Sequence, residues 1–424
     1  MNTGVSERRV EHWTLGSPPT DYVLGHVRAV LVDRIVEDAL VAVRGGVIAA
    51  VEPHPPGLAA DVDGQGLLCV PGLVDVHSDG LEKERLPRPG AELPLEFALL
   101  SFEGKLRAAA VTTVFHGAGF EESHGRGLAR SVAGAEQVCA AVAAARAEGL
   151  VDHRILYRLD VRCPEGLAGL RRQLASETGT GPTAAPGPRP ALVSHEDHTP
   201  GQGQYADRAY YERYLVGTRG MSGQEAAQHV DELIEDRNGR LDVREEALAW
   251  LAGRAYAGRI RLLGHDPSSA DEIDELVSRG GAVAEFPTTV TAARAARERG
   301  LPVVMGAPNV LRGGSHNGNA SGRDLVAAGL VTALASDYLP SGLLAAAFAL
   351  ANDAVVDLPA AIRLVTAGAA EVAALPDRGR LAPGLRADLA LIAAGPRWPV
   401  VRSVLRASDA TGRQEPLATG AAPA

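Results

Sequence analysis

The chain has 424 residues, is 46% hydrophobic and carries a formal net charge of -10. That length allows one large domain with a smaller companion, and the acidic balance argues against non-specific nucleic-acid binding. Cys69, Cys139 and Cys163 are far apart and form no CxxC pair, which fits a reducing cytoplasm. The polar start lacks the apolar segment of a signal peptide, and no run is apolar and long enough to cross a membrane.

From the N-terminus, DYVLGHVRAVLVD and ALVAVRGGVIAAVEP read as short strands, with Arg44-Gly45-Gly46 as a hairpin turn. Near the other end ADLALIAA and VVRSVLRA echo them. The two ends together predict a small β-sandwich domain over residues 21–70 and 376–410. Between them, apolar runs alternate with helical patterns: LLCVPGLVDVH, VTTVFHG, RILYRLDV, ALVSHED, RIRLLGHD, AVAEFP, PVVMGA and ALASD. SSADEIDELVSRG, for example, offers Ser268 or Ser269 as N-cap and Gly280 as stop. Eight such units predict an α/β fold, a (β/α)8 TIM barrel over residues 71–375.

A barrel of this kind builds its site at the carboxyl ends of the strands. Polar residues do follow nearly every run: His77 and Asp79, His116, Asp160 and Arg162, His195 to His198, His265 and Asp266, Glu285, Asn309 and Asp337. His77 and Asp79 are two apart, so a strand would aim both the same way, and an imidazole with a carboxylate suits a divalent cation. His265 is a further candidate ligand, which Asp266 could orient or join. Asp337, after the last strand, could ligate metal and act as general base. In SHEDHTPGQGQ, alternation places His195 with Asp197 and Glu196 with His198; Asp197 and His198 are the favoured functional pair. Lys83, Arg85 and Arg88 form a basic loop suited to an anionic substrate. VLRGGSHNGN, Gly-rich with Arg312, Ser315 and His316, can cradle phosphate oxygens. No GxxxxGK[ST] or GxSxG occurs, and no GxGxxG opens a βα unit.

LVDVHSDGLEKERLPRPG, SHEDHTPGQGQY, AEFPTTVTAARAARERG, MGAPNVLRGGSHNGN and ASDYLPSGLLAAAF resemble the PhnM family of the amidohydrolase superfamily. Its members are α-D-ribose 1-methylphosphonate 5-triphosphate diphosphatases of phosphonate catabolism. The resemblance implies a metal-dependent hydrolase that removes diphosphate from that triphosphate with a divalent ion, Zn, Mn, Mg or Fe. It carries over His77, Asp79, Asp197, His198, His265, Asp266, Glu285 and Asp337, with Lys83, Arg88, Arg312 and Ser315 on the phosphates. The expected catalytic residues are Asp337, His265, Asp197 and His198. The expected ligands are His77, Asp79, His265, Asp337 and Asp160; Pro164 stands where the family has Glu, which leaves Asp160 or Glu165 to supply that carboxylate. Gly80, His116 and Pro267 also depart from the family's pattern, which leaves an amide, lactone or cyclic imide as the alternative substrate. The implied partner is a small phosphorylated substrate, in the cytoplasm, with no nucleic acid and no membrane; a homo-oligomer stays open.

Overall fold

The computed structural model describes residues 18–88, 90–125, 128–177, 189–205, 207–315 and 318–407. Its first strands are β1 (Tyr22–Val30), β2 (Ile35–Arg44), β3 (Val47–Pro53), β4 (Val62–Asp63) and β5 (Leu68–Pro71). Next come β6 (Leu73–Ser78), β7 (Val111–Phe120), a small hairpin of β8 (Ser123–Gly125) and β9 (Leu128–Arg130), β10 (Asp152–Asp160) and β11 (Ala191–Glu196). The series closes with β12 (Ile260–His265), β13 (Gly281–Glu285), β14 (Val303–Gly306), β15 (Ala333–Ala335), β16 (Leu389–Ala394) and β17 (Pro399–Leu405).

The two ends of the chain share one seven-stranded sheet of order β17-β16-β5-β1-β2-β3, with β4 beside β1. The β2–β3 hairpin turns at Gly45 and Gly46, both with positive φ (58° and 75°), the conformation that a tight two-residue hairpin requires and that glycine adopts freely. β5 joins the ends, pairing with β1 in parallel and with β16 antiparallel.

The middle forms an eight-stranded parallel sheet of order β15-β14-β13-β12-β11-β10-β7-β6. A parallel bridge between Ser78 and Asp337 brings its two edges together and closes the barrel. Period-2 alternation sorts the apolar side chains. Val74, Val76, Leu156, Leu192, Leu263, Val283, Val304, Ala333 and Ala335 fill the interior. Tyr157, Leu159, Val193, Leu262, Ala284, Val303 and Leu334 face the helices.

The helices are, in order, α1 (Gly80–Arg85), α2 (Leu95–Ala108), α3 (Val132–Glu148), α4 (Pro164–Glu177), α5 (Arg208–Arg219), α6 (Gly223–Asn238), α7 (Leu241–Tyr256) and α8 (Ala270–Ser278). α9 (Val290–Glu298), α10 (Ala307–Arg312), α11 (Gly322–Ala327), α12 (Gly342–Asn352), α13 (Leu358–Leu364) and α14 (Ala367–Val372) complete them. At α8 the N-cap is Ser269, whose side chain accepts from the Glu272 N–H, and the left-handed Gly280 (φ 74°) follows its end. Three successive helices, α5 to α7, separate β11 from β12 where the barrel repeat asks for one. Among the described residues, no helix is long and apolar enough to cross a membrane.

Candidate active site at the barrel mouth

Four barrel strands converge on Glu285, the last residue of β13. Its Oε1 accepts from His77 Nδ1 on β6 at 2.8 Å. Its Oε2 accepts from His265 Nδ1 on β12 at 2.7 Å and from the Ser194 hydroxyl on β11 at 2.7 Å. Glu285 is fully buried. Burial pushes its carboxyl up, but the two imidazoles overrule this and hold it below the usual carboxylate range. With both Nδ1 atoms held against Glu285, the Nε2 atoms of His77 and His265 are the ring nitrogens left to meet a cation.

His198 completes this side of the mouth. Its ring meets that of His265 edge-on, centroids 5.5 Å apart. His198 Nε2 lies 4.0 Å from Asp266 Oδ2, and His265 Nε2 lies 3.5 Å from the same oxygen. Two ligands on one tetrahedral ion at about 2.0–2.1 Å stand about 3.3 Å apart. His198 Nε2 and Asp266 Oδ2 are buried and have no hydrogen-bond partner, a costly state that a cation would relieve. His198, His265 and Asp266 therefore fit a divalent cation. His77, His265 and Glu285 also lie within ligand reach of one another, but the oxygens of Glu285 are already taken by three donors. Burial lowers the His265 pKa, and Asp266, Glu196 and Glu285 reverse this and raise it to about 9, a measure of how strongly this pocket draws positive charge.

On the other side stands Arg158 of β10. It donates to Asp79 Oδ1 at 2.6 Å, and its Nε and Nη2 face both oxygens of Glu196 at 2.5 and 3.2 Å. Burial raises the Glu196 carboxyl, and Arg158, His265 and His198 bring it down to about 2.

The expected site residues divide accordingly. His77, His265, His198, Asp266 and Glu285 come together as described. Asp79 is the N-cap residue of α1, beyond the end of β6; its Oδ1 lies 3.6 Å from His77 Nε2 but is bonded to Arg158. Asp337 follows β15, with its N–H donating to the His77 carbonyl at 3.0 Å and its carbonyl accepting from the Asp79 N–H at 2.6 Å. Neither Asp79 nor Asp337 belongs to a ligand group among the described residues.

Three of the residues singled out in the sequence have other partners in the structure. Asp160 is gripped by Arg237 of α6 at 2.8 and 2.9 Å, so its carboxylate is spent on an ion pair rather than turned to the cation pocket. Asp197 accepts from Arg162, Thr199 and Arg237, and it lines the same cleft as His195, His198, His265 and Asp266. His116 points to the helix layer, with Nε2 2.9 Å from His153 Nδ1.

Among the basic residues, Lys83 places its ammonium 4.1 Å from the centre of the Tyr338 ring, and Arg312 donates to the Tyr338 hydroxyl at 2.5 Å. Lys83 lies in the last turn of α1 rather than in a loop, Arg312 ends α10, and the two meet on the residue after Asp337. Arg88 is exposed and Ser315 half-buried; His316 lies outside the described residues. Sequence reasoning missed Arg158 and Tyr338 and set Glu196 aside. Arg158 lies two residues before Asp160, and Glu196 shares the parity of His198, so alternation alone could have raised both. A cleft of about 740 Å³, counted with its open mouth, runs from Arg244 and Arg279 down to His195, His198, His265 and Asp266.

No protein-family model matches the chain. It is 33% identical over 373 residues to the α-D-ribose 1-methylphosphonate 5-triphosphate diphosphatase of Escherichia coli K12, covering 87% of this chain and 94% of that protein. It is 28% identical over 406 residues to an imidazolonepropionase of Cereibacter sphaeroides, covering 87% and 92%. Among solved structures, 5-methylcytosine deaminase from Klebsiella pneumoniae shares the fold at TM-score 0.59 and 16% identity, covering 93% of this chain and 98% of that one. An enamidase described as a member of the amidohydrolase superfamily matches at TM-score 0.56 and 14% identity, covering 92% and 95%. The long sequence match to the diphosphatase, on a barrel whose mouth is lined by these histidines and carboxylates, means that the chain belongs to the PhnM family of the amidohydrolase superfamily, and is a hydrolase.

Proposed function

We propose that this hydrolase releases diphosphate from α-D-ribose 1-methylphosphonate 5-triphosphate. The observation that carries the reading is the meeting of Lys83 and Arg312 on Tyr338, directly after Asp337 and beside the histidine cluster. Two cations from the last turns of separate helices, α1 and α10, suit a polyphosphate, and the relative in Escherichia coli is named for this reaction. His198, His265 and Asp266 would hold a divalent cation, with His77 beside them and Glu285 fixing the ring tautomers. A cation there would supply Lewis acidity and make water more acidic. Asp337 takes the proton of the attacking water. As the new P–O bond forms, the phosphoanhydride bond between the first and second phosphates breaks, and diphosphate leaves with its charge met by Lys83 and Arg312.

The experiment is phosphorus NMR of metal-loaded protein with the ribose triphosphate. Diphosphate should appear with the wild type and fall by at least about 100-fold with Asp337→Asn, the usual minimum for loss of a general base. Undiminished turnover in that variant would remove Asp337 from the mechanism. A second reading, hydrolysis of a cyclic amide, is favoured by the matches to proteins named imidazolonepropionase. It predicts no diphosphate in this assay and ring opening of an imidazolone.

A further inference from the structure

We propose that this centre takes one divalent cation, and that the Arg158 guanidinium stands where a second would lie, between Asp79 and Glu196. The inference rests on the metal-dependent reading above and adds the number of ions and the residue that limits it. His77 Nε2 and Asp79 Oδ1 are 3.6 Å apart, nearly the spacing of His265 Nε2 and Asp266 Oδ2 at 3.5 Å. On spacing alone, each pair could serve an ion.

The hydrogen bonds separate them. Asp266 Oδ2 has no hydrogen-bond partner, whereas Asp79 Oδ1 receives Arg158 Nη1 at 2.6 Å. The same guanidinium faces both oxygens of Glu196 through Nε and Nη2, so it joins carboxylates from opposite sides of the mouth. The Arg158 side chain is only 8% exposed. Arginine keeps its proton in proteins and offers no lone pair to a metal, so it acts here as a permanent cation. β7 is shaped for it: a Cβ at Gly117 would stand 2.7 Å from Asp79 Oδ1 and 3.1 Å from Arg158 Cδ. A second divalent ion would face carboxylates already neutralised and a fixed positive charge beside them. Arg158 is thus a positioning residue that confines the ion to His198, His265 and Asp266.

The protein is reconstituted with Mn²⁺, desalted, and read by elemental analysis and electron paramagnetic resonance. The expected result is one equivalent per chain with the hyperfine pattern of an isolated ion. Two equivalents with an exchange-coupled spectrum overturn the proposal. No retained metal overturns the metal-dependent reading itself. Arg158→Met should admit a second equivalent, and Arg158→Lys, which keeps the charge, should stay at one. A folded Arg158→Met protein that still holds one equivalent would overturn Arg158 as the stand-in; if that variant does not fold, the wild-type stoichiometry and Arg158→Lys decide.

Discussion

Glu285 has two carboxylate oxygens and three donors, His77, His265 and Ser194, each from a different strand. A carboxylate can accept all of them, whereas an amide at the same place loses an acceptor and brings two donors to face imidazole N–H groups. Glu285→Gln should therefore turn one or both rings and cost about 10–100-fold in metal affinity, the usual effect of losing a carboxylate that orients a ligand histidine. Competition with a chelator of known affinity reads this directly, and unchanged affinity would mean that Glu285 does not orient the rings. His195 shows the opposite case. It lies one residue from Glu196 on β11, and burial, with Arg244 and Arg279 nearby, lowers its pKa to about 4. It stays neutral at physiological pH.

At the level of single elements, β7 carries a sharper constraint than its apolar composition suggests. Gly117 does not need an unusual backbone conformation; it needs empty space on the inner side, where Arg158 and Asp79 meet. Gly117→Ala should force that pair apart and destabilise the fold by about 1–3 kcal/mol, the range for overpacking a filled interior. Urea denaturation tests it, and an unchanged midpoint would show that the pair yields at little cost. Strand positions were legible in the sequence because most barrel strands are short apolar runs followed by polar residues, although β7 continues past His116 to Phe120. The direction of each polar side chain was less so. The pairing of β6 with β7 slips between Asp75 and Ser78 and Asp79 lies beyond the strand's end, so simple alternation is not what brings His77 Nε2 and Asp79 Oδ1 to 3.6 Å. On β11 the parity was visible, but nothing local said which face was inward. The three helices between β11 and β12 supply Arg237 and Arg244, and the grip of Arg237 on Asp160 spans 77 positions in sequence, beyond any local pattern.

For the molecule as a whole, the end of the barrel away from the site is tied to the C-terminal segment by ion pairs. Arg378 donates to Asp152 at 2.8 Å and to Thr113 at 2.8 Å, and Arg154 also meets Asp152 at 2.9 Å. Burial raises the Asp152 carboxyl, but Arg154 and Arg378 more than offset it and bring it to about 2, against 3.8 for an unperturbed group. A lowered carboxylate pKa stabilises the folded state above the unfolded value and loses that contribution as pH falls through the folded one. Here the window runs from about pH 4 down to about pH 2, and the shift corresponds to about 2 kcal/mol. Asp152→Asn should cost at least about that much at pH 7, and the gap between variant and wild type should narrow as pH drops below 4. Urea titrations at pH 7, 4 and 3 measure the gap; one that stays constant would place the loss in packing rather than charge.

The small sheet has a consequence for synthesis. β5 pairs on one side with β1, close in sequence, and on the other with β16, which begins at Leu389, about 320 residues after β5 ends at Pro71. At about 5–20 residues per second a ribosome needs on the order of half a minute to deliver that partner. Until then the nascent chain carries an apolar strand edge with open backbone groups, Leu68, Cys69 and Val70 among them, while the barrel assembles beside it. Such an edge invites pairing with a neighbouring chain. The last strands thus act as a seal: a copy released before β16 would present the same open edge permanently.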